Sequence, residues 1–162
     1  MKENFQRNFY DYLYKNKVKY FIGVPDSTLK YFIDQGLKKN KITIATREEE
    51  AIGIATGISL SGSNSLVFMQ NAGFANSIST IASLVQLYQI PLIFVIGWRG
   101  FKNTDAPEHI KIGKIQPQLL STLGLKSKII NENNWKSSCN WALKRIRERK
   151  SAVLVIRRMN DE

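Results

Sequence analysis

The sequence predicts an α/β fold: a single three-layer domain over residues 1–162, with a mostly parallel six-stranded sheet flanked by helices. Two observations lead there. Short apolar runs alternate with helical patterns along the whole chain, and each run is nearly continuous, as in strands buried on both faces. The polar residues with chemical potential fall just after those runs, where open parallel sheets bind their ligands.

Taken in order, Asn4 to Asn16 reads as a helix with Phe5, Phe9, Tyr12 and Leu13 on one face. Tyr20 to Val24 is a short buried strand ending at Pro25, and Ser27 can cap a helix running to about Lys39. Ile42 to Ala45 is a strand and Arg47 to Ser61 a helix. Ser65 to Gln70 is a third strand, followed by one long helix from Gly73 to about Gln89, and Pro91 to Gly97 is a very apolar fourth strand. Trp98 to Gln116 is polar and without period, which predicts a long loop, with Pro117 in the first turn of a helix to about Leu123. A strand from Lys126 to Ile130, a helix from Trp135 to Lys150 and a strand from Ala152 to Arg157 complete the pattern.

The bulk properties bound the function. With 162 residues the chain suits one domain with a full core. The apolar stretch Ile90 to Gly97 is too short to span a bilayer, and the polar start MKENFQRNFYDYLYKNK lacks a signal-peptide core, so a cytoplasmic protein without membrane contact is expected. The lone Cys139 can form no intramolecular disulfide and reads as a buried, inert thiol. No metal-ligand set is expected. The net charge of +11 favours an anionic partner of unspecified kind. No aromatic RNA-binding strand or zinc-finger spacing accompanies it, so nucleic acid is not the expected partner.

Two segments stand out. In TREEEAIGIATG, Thr46 and Glu49 fit a capping box and three glutamates complement the helix dipole. Those roles leave Ala51, Gly53, Ala55, Thr56 and Gly57 unexplained, because a core helix would carry larger side chains there. Small residues allow another backbone or chain to approach closely. In MQNAGFANS, Gly73 and its small neighbours open a helix directly after a strand.

These two segments, with GVPDS (Gly23 to Ser27), IPLIFVIGWRG (Ile90 to Gly100) and APEH (Ala106 to His109), occur in the order found in the N-terminal, pyrimidine-binding domains of thiamine-diphosphate enzymes. The chain resembles that superfamily over nearly its whole length, and within it most resembles the sulfopyruvate and phosphonopyruvate decarboxylases. The resemblance implies a thiamine-diphosphate-binding fold of the pyrimidine type. It also implies nonoxidative decarboxylation of a small anionic 2-oxoacid, 3-sulfopyruvate or 3-phosphonopyruvate. In that superfamily a glutamate nine residues before the glycine of this helix bonds the aminopyrimidine ring and activates the cofactor; counted back from Gly57, it is Glu48.

Other roles follow from the same resemblance. Asp26 and Ser27 would lie beside the substrate; the alternative for Ser27 is a helix cap alone. Gln70, Asn71, Gly73 and Asn76 would contact the cofactor; the alternative for the amides is a turn whose backbone groups they satisfy. His109 would be a catalytic proton donor or anion ligand in an entrance loop, or a solvated side chain. Arg99 and Lys102 beside it would hold the substrate's anionic tail. The family holds diphosphate and Mg²⁺ through a GDG motif, which this sequence lacks. A beta subunit carrying the diphosphate-binding domain and Mg²⁺ is therefore expected, in an α2β2 or larger assembly sharing the cofactor. Two rival readings remain open: a noncatalytic binding or regulatory module, and a basic nucleic-acid-binding α/β domain.

Overall fold

The computed structural model describes residues 2–103 and 105–157. The expected domain extent of 1–162 thus includes Met1, Thr104 and residues 158–162, which lie outside the described residues. The elements run α1 (Lys2–Lys15), β1 (Val18–Gly23), a 3₁₀ turn (Ser27–Leu29), α2 (Lys30–Lys38), β2 (Thr43–Ile44), α3 (Glu48–Leu60), β3 (Asn64–Gln70), α4 (Asn71–Asn76) and α5 (Ile78–Thr80), which continues into a π-helical turn (Ile81–Gln86). After these come β4 (Ile93–Trp98), a 3₁₀ turn (Phe101–Asn103), α6 (Pro107–Thr122), β5 (Ser127–Ile130), α7 (Trp135–Arg147) and β6 (Ala152–Arg157).

The six strands form one sheet in the order β2-β1-β3-β4-β6-β5, and every pairing is parallel. Alternation along each strand divides the core in two. Leu66 and Phe68 of β3 face one layer, with Phe9, Tyr10, Phe32 and Cys139 from α1, α2 and α7. Val67 and Met69 face the other, with Ala51, Ile52, Ala55, Phe74, Ile81 and Leu120 from α3, α4, the π turn and α6. Cys139 is fully buried, and burial pushes its thiol up to about 12, so the inert reading holds.

Four local expectations are corrected. Asp26, not Ser27, caps the turn after β1: its carboxylate accepts from the Thr28 N–H at 3.2 Å. The capping box is built from other residues. Arg47 holds the N-cap position without a side-chain bond, Glu50 reaches back to accept from the Thr46 N–H at 2.7 Å, and Glu49 lies 3.7 Å from Arg47.

The long helix from Gly73 starts earlier, at Asn71, and breaks at Ser77. There the Ser77 hydroxyl donates to the Gly73 carbonyl at 2.8 Å, the back-bonding that bends helices. The expected loop from Trp98 to Gln116 is largely helix, because Pro107, not Pro117, occupies the first turn of α6. Pro117 lies inside that helix and cannot donate to the Gly113 carbonyl one turn back. Trp98 fills the gap, its indole Nε1 donating to the Gly113 oxygen at 2.9 Å.

Candidate active site

Chain reversal locates the site. From β1 the chain moves outward to β2, then returns to place β3 on the other flank of β1. The carboxyl ends of β1 and β3 therefore border a topological switch point, where parallel α/β sheets open a crevice. Asp26 follows β1, Gln70 ends β3, and Arg99 follows β4. Asp26 is buried and accepts from the Gln70 side-chain amide at 3.2 Å through its second oxygen. It sits against Gly97, where any Cβ would overlap its carboxylate. A glycine at the end of β4 is thus required for a carboxylate at the end of β1.

Glu48 enters the same region from the first turn of α3. Its side chain lies across Gly73 of α4, so closely that a Cβ on Gly73 would overlap the carboxylate and its neighbouring carbons. Glu48 is half-buried, and among the described residues no hydrogen bond or ion pair engages its carboxylate. Nearby carboxylates do find partners: Asp26 meets Gln70 and Thr28, Glu50 meets the Thr46 amide, and Asp105 meets Arg99. A half-buried acceptor seated on a glycine, with nothing donating to it, fits a flat ligand that donates from a ring edge.

Arg99 and Asp105 form the strongest polar unit. The guanidinium donates from Nε and Nη2 to the two carboxylate oxygens, each at 2.7 Å, with side chains only 12% and 4% exposed. The Gly100 and Ala106 amides also donate to Asp105, at 3.0 and 2.8 Å. The Arg99 hydrogen bonds, helped by those amides and opposed by burial, hold the Asp105 carboxyl well below the usual carboxylate range. Arg99 is held above its already high value, chiefly by the hydrogen bonds to Asp105. Asp105 thereby fixes the guanidinium plane, and the remaining Nη1 donates to the exposed Ser27 hydroxyl at 3.3 Å. Fully buried Asn71 binds the Arg99 backbone, donating to its carbonyl at 3.0 Å and accepting from its N–H at 3.2 Å.

The structure therefore brings Asp26, Ser27, Gln70, Asn71 and Arg99 into one connected cluster, with Glu48 over Gly73 beside it. Asn76 ends α4 on an exposed face, and Lys102 is exposed with its ammonium 5.6 Å from the Phe101 ring centre. His109 is not in a loop. It stands in the first turn of α6 with its side chain 17% exposed and Nε2 at 3.9 Å from Glu108.

Sequence reasoning missed Asp105, Gly97 and Gly100. Gly100 has φ +74°, and any side chain there would overlap the His109 backbone, so this glycine lets the β4 exit lie against α6. An Asp six residues after an Arg in a strand-exit segment was the available signal for the ion pair. Among the described residues, no group of three or more His, Cys, Asp or Glu side chains forms a metal-ligand set, and no helix is long and apolar enough to cross a membrane.

The all-parallel sheet, with a carboxylate, amides and a fixed guanidinium gathered at its switch point, makes this an open α/β domain with its crevice at the carboxyl ends of the strands. The family model "Thiamine pyrophosphate enzyme, N-terminal TPP binding domain" matches residues 3–123, and the chain belongs to that family. It is 39% identical over 113 residues to the sulfopyruvate decarboxylase subunit alpha of Methanocaldococcus jannaschii, covering 68% of this chain and 67% of the relative. It is 42% identical over 78 residues to the protein of the same name from Methanococcus maripaludis, covering 48% of this chain and 47% of that one. Among solved structures, a 2-oxoglutarate:ferredoxin oxidoreductase from Magnetococcus marinus superposes with a TM-score of 0.73 at 15% identity, over 97% of this chain and 29% of its own, which bears on the fold alone.

Proposed function

We propose that this chain is the pyrimidine-binding subunit of a cytoplasmic, thiamine-diphosphate-dependent decarboxylase that converts 3-sulfopyruvate to sulfoacetaldehyde and CO₂, and that residues 1–162 act as one domain. The names of the relatives support the substrate. The observation that carries the reading is the unpartnered Glu48 carboxylate lying over Gly73.

When bound, thiamine diphosphate supplies the carbanion that adds to the 2-oxo carbon and the electron sink that accepts the electrons released with CO₂. Glu48 would hold the cofactor's pyrimidine ring through a hydrogen bond from its carboxyl and would keep the proton that tunes the basicity of the ring's amino group. Gly73 keeps space for that carboxylate. Arg99, its plane fixed by Asp105, offers Nη1 beside Ser27 to an anionic group of the substrate. Asp26 holds Gln70 in place beneath the same crevice. His109, largely shielded at the head of α6, is the candidate proton donor to the product carbon.

A partner subunit supplies the diphosphate- and Mg²⁺-binding half, in an α2β2 or larger assembly. The face of α3 supports that arrangement. Gly53, Ile54, Gly57 and Leu60 are all exposed, and a Cβ built on either glycine would meet nothing. Ala51, Ile52, Ala55 and Thr56 are buried on the opposite face. A helix apolar on both faces is one that another chain covers.

The test is a panel of 2-oxoacids given to the co-expressed pair with thiamine diphosphate and Mg²⁺. Turnover of 3-sulfopyruvate well above pyruvate and 3-phosphonopyruvate is the expected result. A pair that assembles, binds the cofactor and decarboxylates no 2-oxoacid overturns the reading.

A further inference from the structure

The chain leaves β4 through a segment that carries the fixed guanidinium of the site. Arg99 opens it, and Asp105 returns to Arg99 through two hydrogen bonds of 2.7 Å. Between them the backbone is left-handed at Gly100, Lys102 and Asn103, with φ of +74°, +53° and +61°. A lysine gains nothing from that conformation and keeps it only where its surroundings impose it. The ion pair ties the two ends of the segment to each other. A separate contact must tie its middle to the sheet.

Phe101 makes that contact. Its ring meets Trp98 edge-on, with 5.0 Å between the ring centres and planes at 66°. Trp98 is itself held by its indole bond to Gly113. A second hold comes from β6, where the Arg157 guanidinium lies 4.0 Å from the Phe101 ring centre and 5.4 Å from that of Trp98. Arg157 pairs with Trp98 across β4 and β6, so both side chains rise from the same face of the sheet. The Arg157 Nε is buried, and among the described residues no acceptor meets it. The guanidinium is thus committed to the rings, and partial desolvation strengthens a cation on an aromatic face. Lys102 also approaches the Phe101 ring, at 5.6 Å, but it belongs to the segment and cannot anchor it.

We propose that Arg157 is a positioning residue for Arg99: stacked on Phe101, it pins the segment that ends in Asp105, and through Asp105 it fixes the plane of the Arg99 guanidinium. The Nη1 that reaches Ser27 then points in a constant direction. The consequence for substrate binding rests on the decarboxylase reading. The consequence for Arg99 itself does not.

Two readouts separate those consequences. In the full-length ¹⁵N-labelled chain, solvent exchange of the Arg99 Nε–H reports its bond to Asp105, and the amide of buried Phe68 on β3 reports global opening. Arg157→Met keeps the stem and removes the cation. It should speed Arg99 Nε–H exchange at least about tenfold while the Phe68 amide keeps its rate. Phe101→Leu, which removes the ring, should do the same. The double variant should be no faster than the faster single, because both act through one contact. In the co-expressed pair with thiamine diphosphate and Mg²⁺, Arg157→Met should raise KM for 3-sulfopyruvate about tenfold and leave kcat within about twofold, the pattern of lost uniform binding. Unchanged Arg99 exchange, equal acceleration at Phe68, additive effects, or a fall in kcat at constant KM overturns the proposal. Absence of turnover in the native pair would overturn the decarboxylase reading alone, and Arg99 exchange would still decide this one. If Arg157→Met fails to fold, Arg157→Lys, which keeps the charge and loses the stacking plane, is read by the same criteria.

Discussion

The two faces of the sheet are packed by different rules. Under α1, α2 and α7 the core is aromatic: Phe9 and Tyr10 lie 5.3 and 5.4 Å from Phe32, and Tyr10 lies 4.3 Å from Phe21, ring centre to ring centre. Under α3, α4 and α6 the core is mainly aliphatic, with Ile52, Leu120 and two alanines beside a single helix aromatic, Phe74, and polar side chains gather at the sheet's edge. Exposed large apolar residues are also uneven. Ile54 and Leu60 on α3, Leu87 and Tyr88 after the π turn, and Ile115 on α6 all belong to the second face, with exposures from 37% to 71%. On the first face, among the described residues, the exposed large apolar residue of the helices is Leu37 on α2, at 49%, with Tyr20 and Ile44 exposed on β1 and β2. The second face combines a site with an uncovered apolar surface, the combination expected when one domain supplies only half of a cofactor pocket.

Substitutions on the two faces should therefore fail in different ways. Glu48→Gln is expected to cost about 10²–10⁴-fold in kcat, the range for a positioned proton-transfer group, with assembly and melting temperature retained. Phe32→Ala, in the aromatic face, should do the reverse, losing about 3–5 kcal/mol of stability in denaturant melts while residual folded enzyme keeps its turnover. If both variants lose stability alike, the division of labour between the faces is wrong.

Asp105 tests whether the polar edge also carries stability. Its folded-state pKa is depressed, so its contribution is fully present above the ordinary Asp value and is lost as pH falls through the folded one. Chemical denaturation midpoints of the native chain should fall steeply below about pH 4, and Asp105→Asn should flatten that slope. At pH 7 the same substitution leaves the buried Arg99 charge without its counterion and should cost about 3 kcal/mol. An unchanged acid slope would place the pH dependence elsewhere. Gly73→Ala is a subtler probe. Alanine is intrinsically better in a helix by about 1 kcal/mol, yet its methyl would displace the Glu48 carboxylate. The expected variant is at least as stable as the parent and about 10²-fold slower, as for a misplaced catalytic group.

Those glycines mark what the sequence left hidden. The parallel sheet was legible because near-continuous strands such as Leu66 to Met69 leave no polar face, whereas Glu48 was singled out through the family resemblance, counted nine residues back from Gly57, because nothing local separates it from Glu49 and Glu50. The glycine cradles were not legible, since Gly73 and Gly97 are far in sequence from Glu48 and Asp26, the side chains that fill their missing Cβ space. The long helix after β3 looked continuous because its break comes from a single serine hydroxyl bonding its own helix, which no periodicity reveals. Ser27 and Thr46 were assigned caps on residue type alone, where the neighbouring Asp26 and the carboxylate of Glu50 do that work.

The segment from Trp98 to Gln116 was the largest misreading, and it yields the smallest expected effect. Two prolines compete there for one helix start. Pro107 wins because Ala106 before it is extended, as a residue preceding proline prefers, and Pro117 is then carried inside the helix. The Gly113 carbonyl it leaves open is served by Trp98 on β4, a contact between elements that no local pattern encodes. Trp98→Phe should therefore cost about 1–3 kcal/mol from the orphaned carbonyl, beyond the loss of indole packing. In a Pro117→Ala background residue 117 regains an N–H able to reach that carbonyl, so the cost of Trp98→Phe should shrink by about 1 kcal/mol. A double-mutant cycle by urea denaturation reads the coupling directly. Strict additivity would mean that the indole contributes packing alone, and that α6 tolerates its internal proline for another reason.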